Sequence, residues 1–318
     1  MKILYIGTEY MDRRLKYAEM MMNLGHDVHI LPLSKKTTAD EAIIKHITQI
    51  QPDLVFLRFI ETFKCNPLAQ EYLISQGIPT MLYATYQPAF HYEEYDETVD
   101  RIDFPFLHNL DHVEYLTEKG INAFYMPVGF YPEQYFDMSD VRKDIPVSFA
   151  GNVRLPADPE EERRIKYIQP LAKYGMQVFG AKFQGQLTGI PVHSYDSHAQ
   201  QREIYGRSKI NLDIPNIPPK HEWFKDKMHV KNRLFEIPAT KNFLLELRTD
   251  EMVSLMPEDT IGYYDDNTDS LIEAVERYLG DDELRHQKAE KAYKLVHEKH
   301  TFMHRFIEMF RIYDGGSP

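Results

Sequence analysis

Across residues 220–233 the chain gathers five cations, Lys220, Lys225, Lys227, Lys231 and Arg233, against two acids, Glu222 and Asp226. The sequence as a whole carries a formal net charge of -12, so this is a local exception. A cationic cluster in an anionic chain suits one bound anion. Three residues past Arg233 comes Glu236, on a short helix-like stretch that stops near Pro238. The strand-like run 242–246 follows. Cations leading into a helix N-terminus can hold phosphates. A carboxylate such as Glu236 can accept from both hydroxyls of a ribose. The layout therefore suits a nucleoside diphosphate. The competing reading is a solvated basic loop, with Glu236 in a cap or an ion pair.

The elements that must position these groups alternate. Short apolar runs at 2–7, 26–32, 53–57, 80–84, 104–107 and 123–126 read as buried parallel strands. Helical periodicity fills the intervals: Leu15, Ala18, Met21 and Met22 on one face, then 40–50, 67–76 and 113–119. The polar segment 137–144 carries no hydrophobic period and reads as a domain boundary. The pattern then restarts, with strands at 146–150, 176–179, 208–212, 243–245 and 261–264. Helices are expected from Pro159, at 199–205, 233–236, 267–279 and 282–299, and last at 301–313. This is an α/β chain: a first domain over 1–140, a second over 145–300 and a terminal helix over 301–318. No G-x-G-x-x-G follows the first strand, which counts against dinucleotide binding by the first half. Glu9, Asp12, Arg58, Tyr86 and His91 fall in loops after successive strands, where α/β sheets line a ligand crevice. Asn152 and Arg154 would take the equivalent place in the second half.

The segment RLFEIPATKNFLLE (233–246) resembles the signature of CgeB-like, spore-maturation-type glycosyltransferases of the GT-B superfamily. VSFAGNVR (147–154) resembles the strand and glycine turn that open the C-terminal domain of that family. YGRSKINLD (205–213), IGYYDD (261–266) and HTFMHR (300–305) resemble further blocks in the same order, so the resemblance covers roughly the C-terminal half. It implies two Rossmann-like domains facing a cleft, with the terminal helix crossing back to the first. It also implies hexosyl transfer from a nucleotide sugar, UDP-linked, without a bound metal. Glu236 then matches the ribose carboxylate and Arg233 the phosphate-facing arginine. Lys227 and Lys231 join Arg233 in stabilising the departing β-phosphate. Lys209 and Asn211 match the block before them, with Lys209 expected near the cleft, and His300 and Arg305 are expected to be structural. Two departures stand out. The family carries Gly where this chain has Lys241, which puts the shape of that turn in question. The first Glu of the E-x7-E pair found in many retaining enzymes is Met228 here, which leaves the stereochemistry open. An inverting enzyme would need a base from the first domain, and Glu9, Asp12 and His91 are the candidates.

Composition narrows the field. At 318 residues, two domains are the natural expectation, and 43% hydrophobic content supports full cores. Cys65 is the single cysteine, so neither an internal disulfide nor a Cys-rich metal site is available. Asp265-Asp266 has the wrong spacing for a metal-binding DxD, and Asp266-Asn267 reads as a helix N-cap. No permanently bound cofactor is expected. No apolar run reaches membrane-spanning length, and the short N-terminal run is no signal peptide, so the reading is a soluble cytoplasmic protein. The acidic balance argues against nucleic acid as a partner. The acceptor stays open: a small molecule, a peptide, a surface polymer or a modified base. Two other readings compete with the glycosyltransferase. One is an epimerase-like enzyme on the same scaffold, and the other is a non-catalytic two-domain sugar-binding protein.

Overall fold

The computed structural model describes residues 1–7, 12–33, 38–85, 92–151, 159–180, 187–215 and 230–317, with backbone alone at 12–15, 92–94 and 159–162. The chain forms two compact units, Met1–Pro127 with Met303–Pro318, and Val128–Phe302. The division falls at Pro127, ahead of the polar segment 137–144 that the sequence suggests.

The first unit alternates strands and helices: β1 (Lys2–Gly7), α1 (Asp12–Asn23), β2 (Asp27–Pro32), α2 (Asp40–Ile50), β3 (Leu54–Leu57), α3 (Glu61–Lys64), α4 (Pro67–Gln76), β4 (Thr80–Ala84), α5 (Tyr92–Val99), β5 (Phe104–Leu107), α6 (Leu110–Glu118) and β6 (Phe124–Tyr125). The strands form one parallel sheet in the order β2-β1-β3-β4-β5-β6. β3 and β4 are buried at every position because both faces of a parallel sheet are covered. On α2, Ile43 and Ile47 point into the core. Pro67 opens α4, where its missing N–H costs nothing, and Gly77 closes it in the left-handed conformation. Asp12 is the first residue of α1 and not a loop residue.

The second unit runs β7 (Ile145–Ala150), α7 (Pro159–Ile168), β8 (Met176–Phe179), β9 (Val192–His193), α8 (His198–Arg207), β10 (Ser208–Leu212), α9 (Arg233–Ala239), β11 (Leu244–Leu247), α10 (Asp250–Leu255), β12 (Gly262–Tyr264), α11 (Thr268–Gly280) and α12 (Asp282–Lys299). Its strands form a second parallel sheet, ordered β12-β11-β10-β7-β8-β9. Counted from β7, this is the 3-2-1-4-5-6 order of a dinucleotide-type fold. Its winding reverses between β7 and β10. Val147, Phe149, Ile210, Leu212, Leu244 and Leu245 fill its core.

The last helix, α13 (Phe302–Tyr313), belongs to the first unit from Met303 onward. Phe306 is fully buried there, with its ring centroid 5.1 Å from Tyr17 and 5.7 Å from Phe56. Arg305 Nε donates to Pro127 O at 3.0 Å. In the second unit, Phe130 and Thr301 pair as a parallel bridge. A Cβ on Gly129 would lie 2.8 Å from Phe302 N, so only glycine lets these segments approach.

Candidate functional site

Ligands of open α/β sheets bind outside the carboxyl ends of the strands where the winding reverses. In the second unit those ends are Ala150-Gly151 and Leu212-Asp213. Arg233, first residue of α9, joins them. Its Nε and Nη2 donate to Asp213 Oδ1 at 2.9 and 2.5 Å, and its Nη1 donates to Ala150 O at 2.9 Å. Asp213 is 1% exposed. Its N–H donates to Leu245 O at 2.9 Å, and its own carbonyl accepts from Tyr264 Oη at 2.8 Å. Three of the five guanidinium N–H groups are thus committed within the protein, and Arg233 serves first as a clamp between two strand ends.

Arg164 approaches the same place from α7. Its Nε and Nη2 donate to Ile214 O at 3.2 and 3.0 Å. The guanidinium carbons of Arg164 and Arg233 lie 5.4 and 5.6 Å from the centroid of the Phe149 ring. Gly151 is required at this turn. A Cβ there would meet the Phe149 ring at 2.8 Å and Arg233 Nη1 at 3.1 Å. Lys231 completes the group. Burial pushes its ammonium down to about 8, the charges of Arg233 and Arg164 add to the shift, and Asp213 only partly opposes it. Three cations therefore surround an acid that Arg233 already holds. The surplus positive charge in a partly dry place favours an incoming anion.

Two further carboxylates flank this group. Glu236 lies on α9, 5% exposed, with its N–H donating to Asn232 O at 2.8 Å. Glu246 on β11 is 1% exposed. Burial, then the charge of Asp213, raise its carboxyl well above the usual carboxylate range. One of its oxygens accepts from Leu247 N at 2.9 Å.

The other sequence candidates divide sharply. Asn211 is buried inside β10, where its Nδ2 donates to Tyr205 O and Phe243 O, both at 3.2 Å. It therefore ties α8 to the sheet. Lys209 is not brought to the carboxyl edge. It is the second residue of β10, and its Nζ lies 3.9 Å from Asp282 Oδ1 at the amino edge. Glu9, His91, Asn152, Arg154 and Lys227 lie outside the described residues, as does the side chain of Asp12. His300 stacks on Phe235 with ring centroids 4.6 Å apart. The cap of α11 is Asn267, whose side chain accepts from Ser270 N at 2.8 Å. Asp266, read as part of that cap, accepts instead from Arg163 at 2.6 Å and Tyr167 at 2.5 Å. The turn at Lys241 keeps the shape a glycine would give it. Lys241 takes φ 59°, and its ammonium pairs with Glu290 at 2.7 Å.

Sequence reasoning missed Asp213, Arg164 and His108. Asp213 and His108 each stand directly after a buried strand, the one signal the sequence offers, and that place does not separate them from ordinary turn residues. Arg164 carries no such signal. His108 stands one residue past β5 in the first unit, 7% exposed, with Nδ1 3.0 Å from Ala84 O. Donation there makes Nε2 the basic nitrogen.

Residues 163–311 match the family model described as glycosyl transferase-like. The glycosyl transferase-like segment thus runs from Arg163, beside the switch point, through Arg233 and Glu236 into α13. Among solved structures, sucrose-phosphate synthase from Thermosynechococcus elongatus is similar at 11% identity, covering 99% of this chain and 98% of its own, with a TM-score of 0.68. A glycosyltransferase from Rickettsia africae ESF-5 covers 99% of both chains at 14% identity and TM-score 0.66. Anabaena Alr3699/HepE, solved with UDP-glucose, covers 99% of both at 11% identity and TM-score 0.67. A search of curated proteins returns no match. At these identities the likeness is one of fold, and the fold is the GT-B fold of glycosyltransferases. Among the described residues no helix is long and apolar enough to cross a membrane.

Proposed function

We propose that this chain is a glycosyltransferase that takes a hexose from a nucleotide-sugar donor, with a UDP-sugar as the first candidate. The observation that carries the reading is Lys231, partly desolvated beside Arg233 and Arg164 at the reversal point of the second sheet. A diphosphate supplies the missing negative charge at that point. As the sugar departs, charge grows on the β-phosphate, and cations already in place stabilise it more than the ground state. In this reading Lys231 meets the phosphates, Arg233 fixes their seat and Glu236 accepts from the ribose hydroxyls. Asn152, Arg154 and Lys227 would complete the phosphate and sugar contacts. A base for inversion would come from Glu9, Asp12, His91 or His108 in the first unit. The solved structures that carry UDP-glucose and UDP-2-fluoro glucose support a uridine donor.

The test is thermal unfolding of the whole chain with UDP, GDP, ADP, dTDP, UDP-sugars and NAD. A ligand at a hundred times its Kd stabilises the fold by about 2.7 kcal/mol. UDP and UDP-sugars are expected to raise the melting temperature, and Lys231→Met and Glu236→Ala to diminish the rise. A rise with NAD alone, or with none of these at millimolar concentration, would overturn the reading.

A further inference from the structure

Lysines gather where three neighbouring strands of the second sheet begin. Lys143 stands two residues before β7, Lys209 is the second residue of β10, and Lys241 stands three residues before β11. The strands lie side by side in the order β11-β10-β7 and run parallel, so all three positions fall at the amino edge. The first turns of α12 add Arg285, His286 and Glu290. All six side chains line one cavity. The length of β10, at about 3.3 Å per residue, puts about 16 Å between this edge and Asp213 at the other.

The carboxylates nearby answer only part of this charge. Lys241 pairs with Glu290 at 2.7 Å and with Asp137 at 3.5 Å. Arg285, 4% exposed, donates to Asp282 Oδ1 and to Tyr278 O. Lys209 stands 3.9 Å from that same Asp282 oxygen, beyond hydrogen-bond reach. Lys143 donates to two neutral oxygens, Gly206 O and Asn242 Oδ1, which leaves its ammonium a third N–H. Burial pushes that ammonium down to about 8, Arg285 adds to the shift and Asp137 opposes it. Among the described residues, four lysine and arginine side chains thus meet three carboxylates, with His286 as a further base. The space between them is about 60 Å³, room for about four waters. Four water-sized oxygens on one phosphorus make a phosphate group, and a nucleotide is far larger.

We propose that this cavity is a second anion site, which takes one phosphate group, as the free ion or as the phosphoryl end of a small metabolite. Lys143 and Lys209 donate to its oxygens, and His286 faces it from α12. The site is separate from the donor site and does not depend on the nucleotide-sugar reading. Lys209, which the pattern of residue types placed near the donor, has its task here.

The test is titration calorimetry of the whole chain with orthophosphate, a hexose 6-phosphate and the free hexose. Orthophosphate is expected to bind the wild type at millimolar concentration or below. Lys209→Met and Lys143→Met are each expected to weaken it about tenfold, as loss of a hydrogen bond between charged groups gives. Glu290→Gln removes the acid that lines the cavity and releases Lys241. It should bind phosphate about threefold more tightly, a gain that lost packing would not give. Lys231→Met, at the opposite edge, should change the affinity by less than about twofold. Melting curves show which variants fold, and if Lys143→Met does not, Lys209→Met and Glu290→Gln decide. Tighter binding of the hexose phosphate than of orthophosphate, with the free hexose silent, supports the site and names a phosphorylated sugar as its ligand. The reverse order supports the site and names the free ion. No binding of orthophosphate at millimolar concentration, or a loss confined to Lys231→Met, overturns the inference and leaves the donor reading standing.

Discussion

Raising the pH from 7 to 9 is expected to weaken capture of UDP about tenfold, and Lys231 is the reason. Its ammonium is pushed down to about 8 by burial and by Arg233 and Arg164. In the ligand-free protein it is therefore about nine-tenths charged at pH 7 and about one-tenth charged at pH 9. The outer phosphate of UDP loses its last proton near pH 6 and stays fully ionised over this range. A bound diphosphate opposes those two cations, so Lys231 is charged in the complex at either pH. At pH 9 it must then gain about 0.9 proton on binding, against about 0.1 at pH 7. The tenfold weakening corresponds to about 1.4 kcal/mol. Calorimetry in two buffers of different ionisation enthalpy measures the uptake directly. Lys143, also pushed down to about 8 by burial, donates to Gly206 O at the amino edge of the sheet and does not couple to this site. Lys231→Met provides the control, with weaker binding at pH 7 and a flat profile to pH 9. No proton uptake at pH 9, or an unchanged slope in Lys231→Met, would refute the reasoning.

Removing the Arg233 side chain is expected to cost about 3–5 kcal/mol in urea unfolding, because Arg233→Ala leaves the carboxylate of Asp213 buried without its partner. Arg233→Lys should recover only part of this, since an ammonium lacks the planar set of donors that reaches both Asp213 and Ala150 O. Glu246 gives a pH dependence of unusual sign for an acid. Its folded-state pKa lies above the unfolded one, so it costs nothing at low pH and increasingly more as pH rises past the unfolded value of about 4.3. Glu246→Gln should therefore approach wild-type stability near pH 4 and exceed it near pH 8, as followed by thermal melts. Lys241 sits at φ 59°, so Lys241→Val should be less stable than Lys241→Gly by about 1–2 kcal/mol in denaturant titrations.

Much of the fold was legible because parallel strands buried on both faces read as unbroken apolar runs. The runs 2–7, 53–57, 80–84 and 208–212 give such a signal, and Gly77 marks a real left-handed turn. The elements that escaped lack it. α5 reads YEEYDETV, with only Tyr95 and Val99 among its apolar positions buried in the described part. β9 is two exposed residues at a sheet edge, and α10 has six residues. At the candidate site, Lys231, Arg233 and Glu236 were legible from charge and spacing. Asp213 was not, because a single acid after a strand is indistinguishable from a surface turn until its partner is known. Lys209 shows the opposite error. A resemblance of residue types placed it near the ligand, but strand polarity puts the second residue of β10 at the amino edge.

The first unit is made of two stretches separated by the whole of the second, Met1–Pro127 and Met303–Pro318. That interruption sets an order of assembly during synthesis. When residue 127 has left the ribosome, Tyr17 and Phe56 are present but Phe306, which packs against both, has not been made. The second unit is continuous, from Val128 to Phe302, and can close as soon as its last residues emerge. The half of the protein translated first is therefore the half completed last, and a nascent chain lacking only its final helix would carry a finished nucleotide-type domain beside an unfinished partner.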